Sequence, residues 1–191
     1  MIRAACVQLR ASDDVAANIR DAVALIREAH GQGATFIATP ENTSLMAPDA
    51  GAKLENSFAE DADPALPVFR ALAAELGVWL SIGSLAIKVS ADKTANRSFL
   101  IAPDGSIAAR YDKIHLYDVD LPSGERYRES RTVAGGHEAV LQGDGVDHRG
   151  QHAHVVRAHA VHLLGLLFYA TEEVPAAHHQ ADFHAQCMNL R

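Results

Sequence analysis

The sequence predicts a layered α/β fold, in which a mixed sheet carries its helices on one face. Three observations lead there. The first forty residues run strand, helix, strand. A second helix and strand follow over 64–87. A Pro-Asp-Gly reversal then joins two more strands, giving the order β-α-β-α-β-β-β up to about Lys113. A purely alternating doubly wound sheet does not fit three consecutive strands.

Ile2 to Leu9 is a short apolar run with some alternation and reads as a buried strand, with Cys6 a packed apolar residue inside it. In "NIRDAVALIREAHGQG", Ile19, Ala22, Val23 and Ile26 recur at helical spacing, and Gly31 or Gly33 supplies the stop. "ATFIATP" (34–40) is a second buried strand closed by Pro40, and residues 43–62 read as loop. "PALPVFRALAAELG" (64–77) is a second helix ending at Gly77, and "VWLSIGSLAI" (78–87) is a strand. "NRSFLIAPDGSIAARYDK" is a hairpin, because Pro-Asp-Gly supplies the backbone angles of a tight reversal.

Bulk properties exclude several classes. With 191 residues and 48 % hydrophobic content, the chain suits one compact domain with a core. A net charge of −7 argues against a nucleic-acid surface. Two cysteines, Cys6 and Cys187, suggest no disulfide framework and fit a reducing cytoplasm. "MIRAACVQL" lacks the features of a signal peptide, and the longest apolar run, "VHLLGLLFYA", is too short to span a bilayer, so no membrane partner is expected.

Composition changes after about residue 140. Eight of the eleven histidines lie beyond it, while lysine is absent after Lys113 and serine after Ser130. The chain therefore divides into residues 1–140 and an atypical His-rich tail over 141–191. A helix around 153–170 is the only regular element expected in that tail.

Glu41 follows a buried strand directly, where catalytic groups commonly emerge from α/β sheets. Taken alone it reads as a surface loop glutamate. Lys113 ends the hairpin between Tyr111 and His115 and is one of only four lysines. Alone, it is an ordinary strand-end lysine. Glu129, in "RYRES", reads as solvated charge.

Their order and surroundings change that reading. "AACVQL" with Asn18, "GATFIATPENTSL", "NRSFLIAPDGSIAARYDKIHLYDVDLP" and "YRESRTVAGG" together resemble the carbon–nitrogen hydrolase family, or nitrilase superfamily, over about residues 1–140. The last two segments look most like its amidase branch, which includes omega-amidases and amidases of deaminated glutathione. The resemblance implies a partial α-β-β-α sandwich followed by an atypical tail. It implies hydrolysis of a small carboxamide, less readily a nitrile, by glutamate, lysine and cysteine. Glu41 maps to the general base that takes the cysteine's proton, Lys113 to the cation that stabilises the tetrahedral intermediate, and Glu129 to the supporting glutamate. No cofactor or metal is implied. The family often forms homo-oligomers, which this chain would share if its fold is intact.

The chain departs from the family at the nucleophile. The family's cysteine elbow follows the segment matching "VAGG" by some two dozen residues, and that stretch holds no cysteine here. Cys187 in "QCMNLR" shares Cys, Leu and Arg spacing with the elbow. The preceding "QADFHA" lacks the pattern of a buried strand, which favours coincidence. A frameshift or truncation would explain the tail, leaving the sheet with one poorly covered face and an open edge. Two other readings follow: a catalytically dead family remnant, and divalent-metal binding through His148, His152, His154, His159 and His162 with His178–His179. For the metal reading, no cysteine or carboxylate set completes an ordered site.

Overall fold

The computed structural model describes residues 2–140 in full, and the backbone of Leu141–Gly143, Val155–Arg157 and His184–Gln186. Strand β1 (Arg3–Cys6) leads into helix α1 (Val15–Gly31). The Asp14 side chain caps α1 by accepting the Ala17 N–H at 2.9 Å. Strand β2 (Phe36–Ala38) lies parallel to β1. Helix α2 (Ala50–Glu55) and a 3₁₀ turn (Glu60–Ala62) lie within the stretch expected as loop. The sequence signal there is Asp49, whose carboxylate accepts the Ala52 N–H at 2.9 Å and starts a helix too short to show periodicity.

Helix α3 (Ala65–Leu76) ends at Gly77, in the left-handed conformation at φ 64°. Asp63 receives the Ala65 and Leu66 N–H groups at its start. Strand β3 (Trp79–Lys88) pairs parallel with β2. Strands β4 (Thr94–Ile101) and β5 (Ile107–Asp112) form the expected hairpin, β4 pairing antiparallel with β3 and β5 antiparallel with β4. Beyond them, β6 (Asp118–Asp120) and β7 (Arg126–Arg128) make a small separate hairpin, and β8 (Val133–Ala134) pairs with the start of β4.

Two tail segments differ from expectation. Val155–Arg157 (β10) is a strand antiparallel to Leu141–Gly143 (β9), not part of a helix; its β-branched pair Val155–Val156 suits extended backbone. The rest of the expected 153–170 helix lies outside the described residues. His184–Gln186 (β11) pairs parallel with β1 and occupies that edge of the sheet. An edge strand of three residues needs no two-sided apolar pattern, which is why "QADFHA" gives no signal.

The sheet order β11-β1-β2-β3-β4-β5 sorts side chains into two faces. Ala5, Ile37, Leu80 and Ile101 are in register on one face and are all buried. Against them pack Ala22, Ile26 and Ala29 of α1 with Leu66, Phe69, Leu72 and Ala73 of α3. Burial of these apolar side chains, each contributing about 1.5–3 kcal/mol for the larger ones, is the main force holding the layers together. The opposite face carries Ala4, Cys6, Phe36, Trp79 and Leu100, all partly or fully exposed. Cys6 is thus exposed rather than packed, because alternation along β1 turns Ala5 and Val7 to the helices.

Two features hold the strand ends. In β3 the register with β4 shifts between Ile82 and Leu85, a bulge at Gly83–Ser84. A Cβ at Gly83 would lie 2.4 Å from the Thr39 carbonyl oxygen and 2.5 Å from the Pro40 carbonyl. Opposite each other in β4 and β5, Arg97 grips Asp112 with two bonds of 2.7 and 2.8 Å and reaches Glu60 at 2.8 Å, which also receives Arg110 at 2.8 Å. Burial pushes the Glu60 carboxyl up, but the Arg110 and Arg97 guanidinium groups outweigh it and hold the carboxyl below its ordinary range.

Gly83→Ala is expected to destabilise the chain by about 1–3 kcal/mol through overpacking against backbone, read as a fall in urea midpoint. Glu60→Gln tests the charge network. Because the folded pKa of Glu60 is depressed, its contribution is present above the unfolded value and lost as pH falls through the folded one. The stability gap between wild type and Glu60→Gln should therefore be open at pH 7 and close below about pH 4; a gap independent of pH would contradict the network.

Candidate functional site

Glu41 begins where β2 stops. The turn Thr39–Thr43 leaves the sheet and is clamped to the β3 bulge. The Thr39 N–H donates to Ser81 O and the Thr43 N–H to Ser84 O, both at 2.9 Å, while the Asn42 N–H donates to Ser84 Oγ at 2.9 Å. The Gly83 N–H reaches Thr39 Oγ1 at 3.2 Å, and Thr39 and Thr43 share a 2.7 Å hydroxyl contact. Asn42 takes a left-handed φ of 57°, which asparagine tolerates better than most residues. The Glu41 carboxylate is thereby carried on a rigid turn while its side chain stays 55 % exposed.

Asn96 comes from the neighbouring part of the sheet. Arg97 faces Asp112, so alternation turns Asn96 to the other side of β4. There its Nδ2 donates to Glu41 Oε1 at 2.6 Å, and its carbonyl accepts the Lys113 N–H at 3.0 Å. One buried asparagine thus ties the glutamate turn to the residue after β5.

Lys113 stands between two carboxylates. Its Nζ lies 3.0 Å from Glu129 Oε2 and 3.5 Å from Glu41 Oε1. The inner pair is well shielded, each side chain being 17 % exposed. Glu129 opens a 3₁₀ turn (Glu129–Arg131) after β7, and its Oε2 also accepts the Tyr117 N–H at 2.6 Å. On the far side, the Gly136 N–H donates to the Lys113 carbonyl at 2.9 Å, and a Cβ at Gly136 would lie only 2.2 Å from Asp112 O. The backbone of Lys113 is therefore held from both sides.

The three residues expected from sequence, Glu41, Lys113 and Glu129, meet in one cluster across 88 positions of chain from 41 to 129. Two residues escaped the sequence reading. Asn96 opened the motif "NRSFLIAPDGSIAARYDK", between Ala95 and Arg97, without a role of its own. Lys53 lay in the presumed loop; its Nζ lies 3.4 Å from Asn42 Oδ1, in the electrostatic field of Glu129, Glu41 and Lys113. Cys187 and the tail histidines His148, His152, His154, His159, His162, His178 and His179 lie outside the described residues. Among the described residues, no group of three or more histidine, cysteine or acidic side chains could hold a metal ion, and no helix is long and apolar enough to cross a membrane. Chemically, the cluster offers a carboxylate able to take a proton next to a fixed, shielded ammonium able to face a developing negative charge.

Known proteins share this arrangement of chain. The family model described as carbon-nitrogen hydrolase matches residues 3–159, running past the change in composition at 140. Deaminated glutathione amidase of Synechocystis sp. is 35% identical over 135 residues, covering 70% of this chain and 49% of that protein. Omega-amidase NIT2 of Homo sapiens is 33% identical over 135 residues, covering 70% and 48%. The chain spans about half the length of the curated relatives it matches. Among solved structures, the C. elegans NitFhit protein aligns with a TM-score of 0.65 at 26% identity, over 73% of this chain and 35% of that one. An amidase from Nesterenkonia sp. aligns at 0.62 and 23% identity, over 76% and 51%, which bears on the fold alone.

A double-mutant cycle tests the shielded pair. Lys113→Met leaves the Glu129 carboxylate with the Tyr117 N–H but no cation, whereas Glu129→Gln keeps an oxygen for that N–H. The two changes should couple by about 1–3 kcal/mol in urea unfolding, between the values for exposed and fully buried pairs. Strict additivity would show that the pair contributes nothing to folding.

Proposed function

We propose an amidase-type reaction for this chain, which belongs to the carbon–nitrogen hydrolase family. The observation that carries the proposal is the Glu41–Lys113–Glu129 cluster, with one ammonium 3.5 Å from a half-exposed carboxylate and 3.0 Å from a shielded one. The exposed Glu41 is the general base, free to meet a thiol and later a water. Lys113 faces the amide oxygen as it gains charge, and Glu129 fixes Lys113 in place. A fixed donor of this kind contributes roughly 3 kcal/mol to the barrier. The substrate is a small carboxamide. Thiolate attack on its carbon forms a tetrahedral intermediate; collapse with proton return to nitrogen releases ammonia and leaves a thioester, which water activated by Glu41 hydrolyses to the acid. A reducing cytoplasm keeps such a thiol available.

The thiol decides between two readings. The 49 residues from 138 to 186 hold no cysteine, which favours a catalytically silent member, and Cys187 is the one cysteine beyond them. Ammonia release from small ω-amides separates the two. An active chain should lose at least about 100-fold in rate with Glu41→Gln and with Lys113→Met, the scale of a lost base or oxyanion donor, and should be inactivated by Cys187→Ala. Turnover unaffected by Glu41→Gln would overturn the assigned base. Amide binding with no ammonia release would establish the silent reading.

A further inference from the structure

The β4–β5 hairpin borders a second concavity on its helix-covered face. Glu60 and Asp61 of the 3₁₀ turn, Leu66 and Arg70 of α3, and Ile107 and Arg110 of β5 line a cleft of about 390 Å³, within the size range of small-molecule sites. Arg110 shares its face of the hairpin with Arg97 and Asp112, so the cleft lies away from Asn96 and the Glu41 cluster. Its walls are pinned before any ligand arrives. Arg70 Nε donates to Gly105 O at 2.8 Å, and Gly105, at φ 80°, comes so close that a Cβ there would lie 2.7 Å from Arg70 O. The 3₁₀ turn is held through Glu60, whose Oε1 accepts from Arg110 and whose Oε2 accepts from Arg97, both at 2.8 Å. A guanidinium has five N–H donors. Among the described residues, Arg70 and Arg110 each spend only Nε on the protein, which leaves the Nη groups of both for a ligand. Such groups match a carboxylate, and Leu66 and Ile107 offer apolar contact to the rest of the molecule. Glu60 and Asp61 balance the charge of Arg70 and Arg110 in the lining, which disfavours a dianion such as phosphate against a monoanion.

We propose that this cleft binds a small organic monocarboxylate with an apolar body, at a site separate from Glu41, Lys113 and Glu129. Arg70 and Arg110 hold the carboxylate, and its hydrocarbon lies against Leu66 and Ile107. The site stands independently of the amidase reading. It is nevertheless tied to the cluster, because Glu60 holds Arg97 and Arg97 grips Asp112, the residue before Lys113.

Amide NMR spectra of the isotope-labelled full chain, titrated with isovalerate, isoamyl alcohol and inorganic phosphate, test the proposal. Isovalerate should shift the signals of Leu66, Arg70, Gly105 and Ile107. It should bind about ten-fold more tightly than the alcohol or phosphate, the scale of one charge-assisted hydrogen bond. Arg70→Gln should weaken isovalerate by a similar factor. The Asp61 side chain makes no hydrogen bond among the described residues, so Asp61→Asn should keep the fold and tighten isovalerate binding. That variant decides the matter if Arg70→Gln fails to fold. Absence of shifts at the cleft, shifts confined to the surroundings of Glu41 and Lys113, equal binding of the alcohol or phosphate, or an affinity that neither substitution changes in the stated direction would each overturn the proposal.

Discussion

The candidate site depends on one close approach between backbones. The turn that carries Glu41 presses against the β3 bulge at Gly83, where the Thr39 and Pro40 carbonyls occupy the space a Cβ would need. The bulge has a second consequence. By breaking the regular pairing between Ile82 and Leu85, it frees Ser84 to receive two N–H groups from the turn through its carbonyl and hydroxyl. A carboxylate on an unsupported loop would sample many directions. Here the loop is fixed by four hydrogen bonds to a central strand of the sheet, so Glu41 inherits the rigidity of the core while its side chain stays half-exposed.

The same economy governs Lys113. Pairing of Arg97 with Asp112 places two charges on one face of the β4–β5 hairpin and, by alternation, turns Asn96 to the other. A slip of one residue would move Asn96 away from Glu41 and break its bond to the Lys113 N–H. The ionic grip on one face is therefore also a register pin for the site on the other. Glu129 arrives from outside the main sheet, after the β6–β7 hairpin, and its bonds to Lys113 and Tyr117 are what attach that hairpin to the cluster.

Much of this was legible in sequence because the signals are local. Gly77 stops α3, Pro-Asp-Gly turns the β4–β5 hairpin, and the Ile19, Ala22, Val23, Ile26 spacing marks α1. The order of Glu41, Lys113 and Glu129 along the chain, with their flanking motifs, led to the cluster now seen in space. Helix α2 was missed because six residues give too few turns for periodicity, leaving only the Asp49 cap as a clue. Cys6 was misplaced because a four-residue strand of small side chains does not reveal which face the helices cover. Asn96 and Lys53 could not be assigned because their partners lie 55 and 11 residues away, a proximity created by the sheet and the turn rather than by spacing.

Burial fits the two glutamates to the different roles proposed for them. Around Lys113, Glu129 is as shielded as the lysine itself, whereas Glu41 is more than half exposed. A shielded carboxylate beside a cation is held still, which suits the positioning role proposed for Glu129. A carboxylate that must take up and return a proton needs access to the reacting group and to water, which suits the exposed one. The amide of Asn96 adds to this difference: by donating to Glu41 Oε1 it engages the same oxygen that lies 3.5 Å from Lys113 Nζ. Two identical side chains flanking one lysine thus lie at different depths, set by where the turn and the 3₁₀ segment leave the fold.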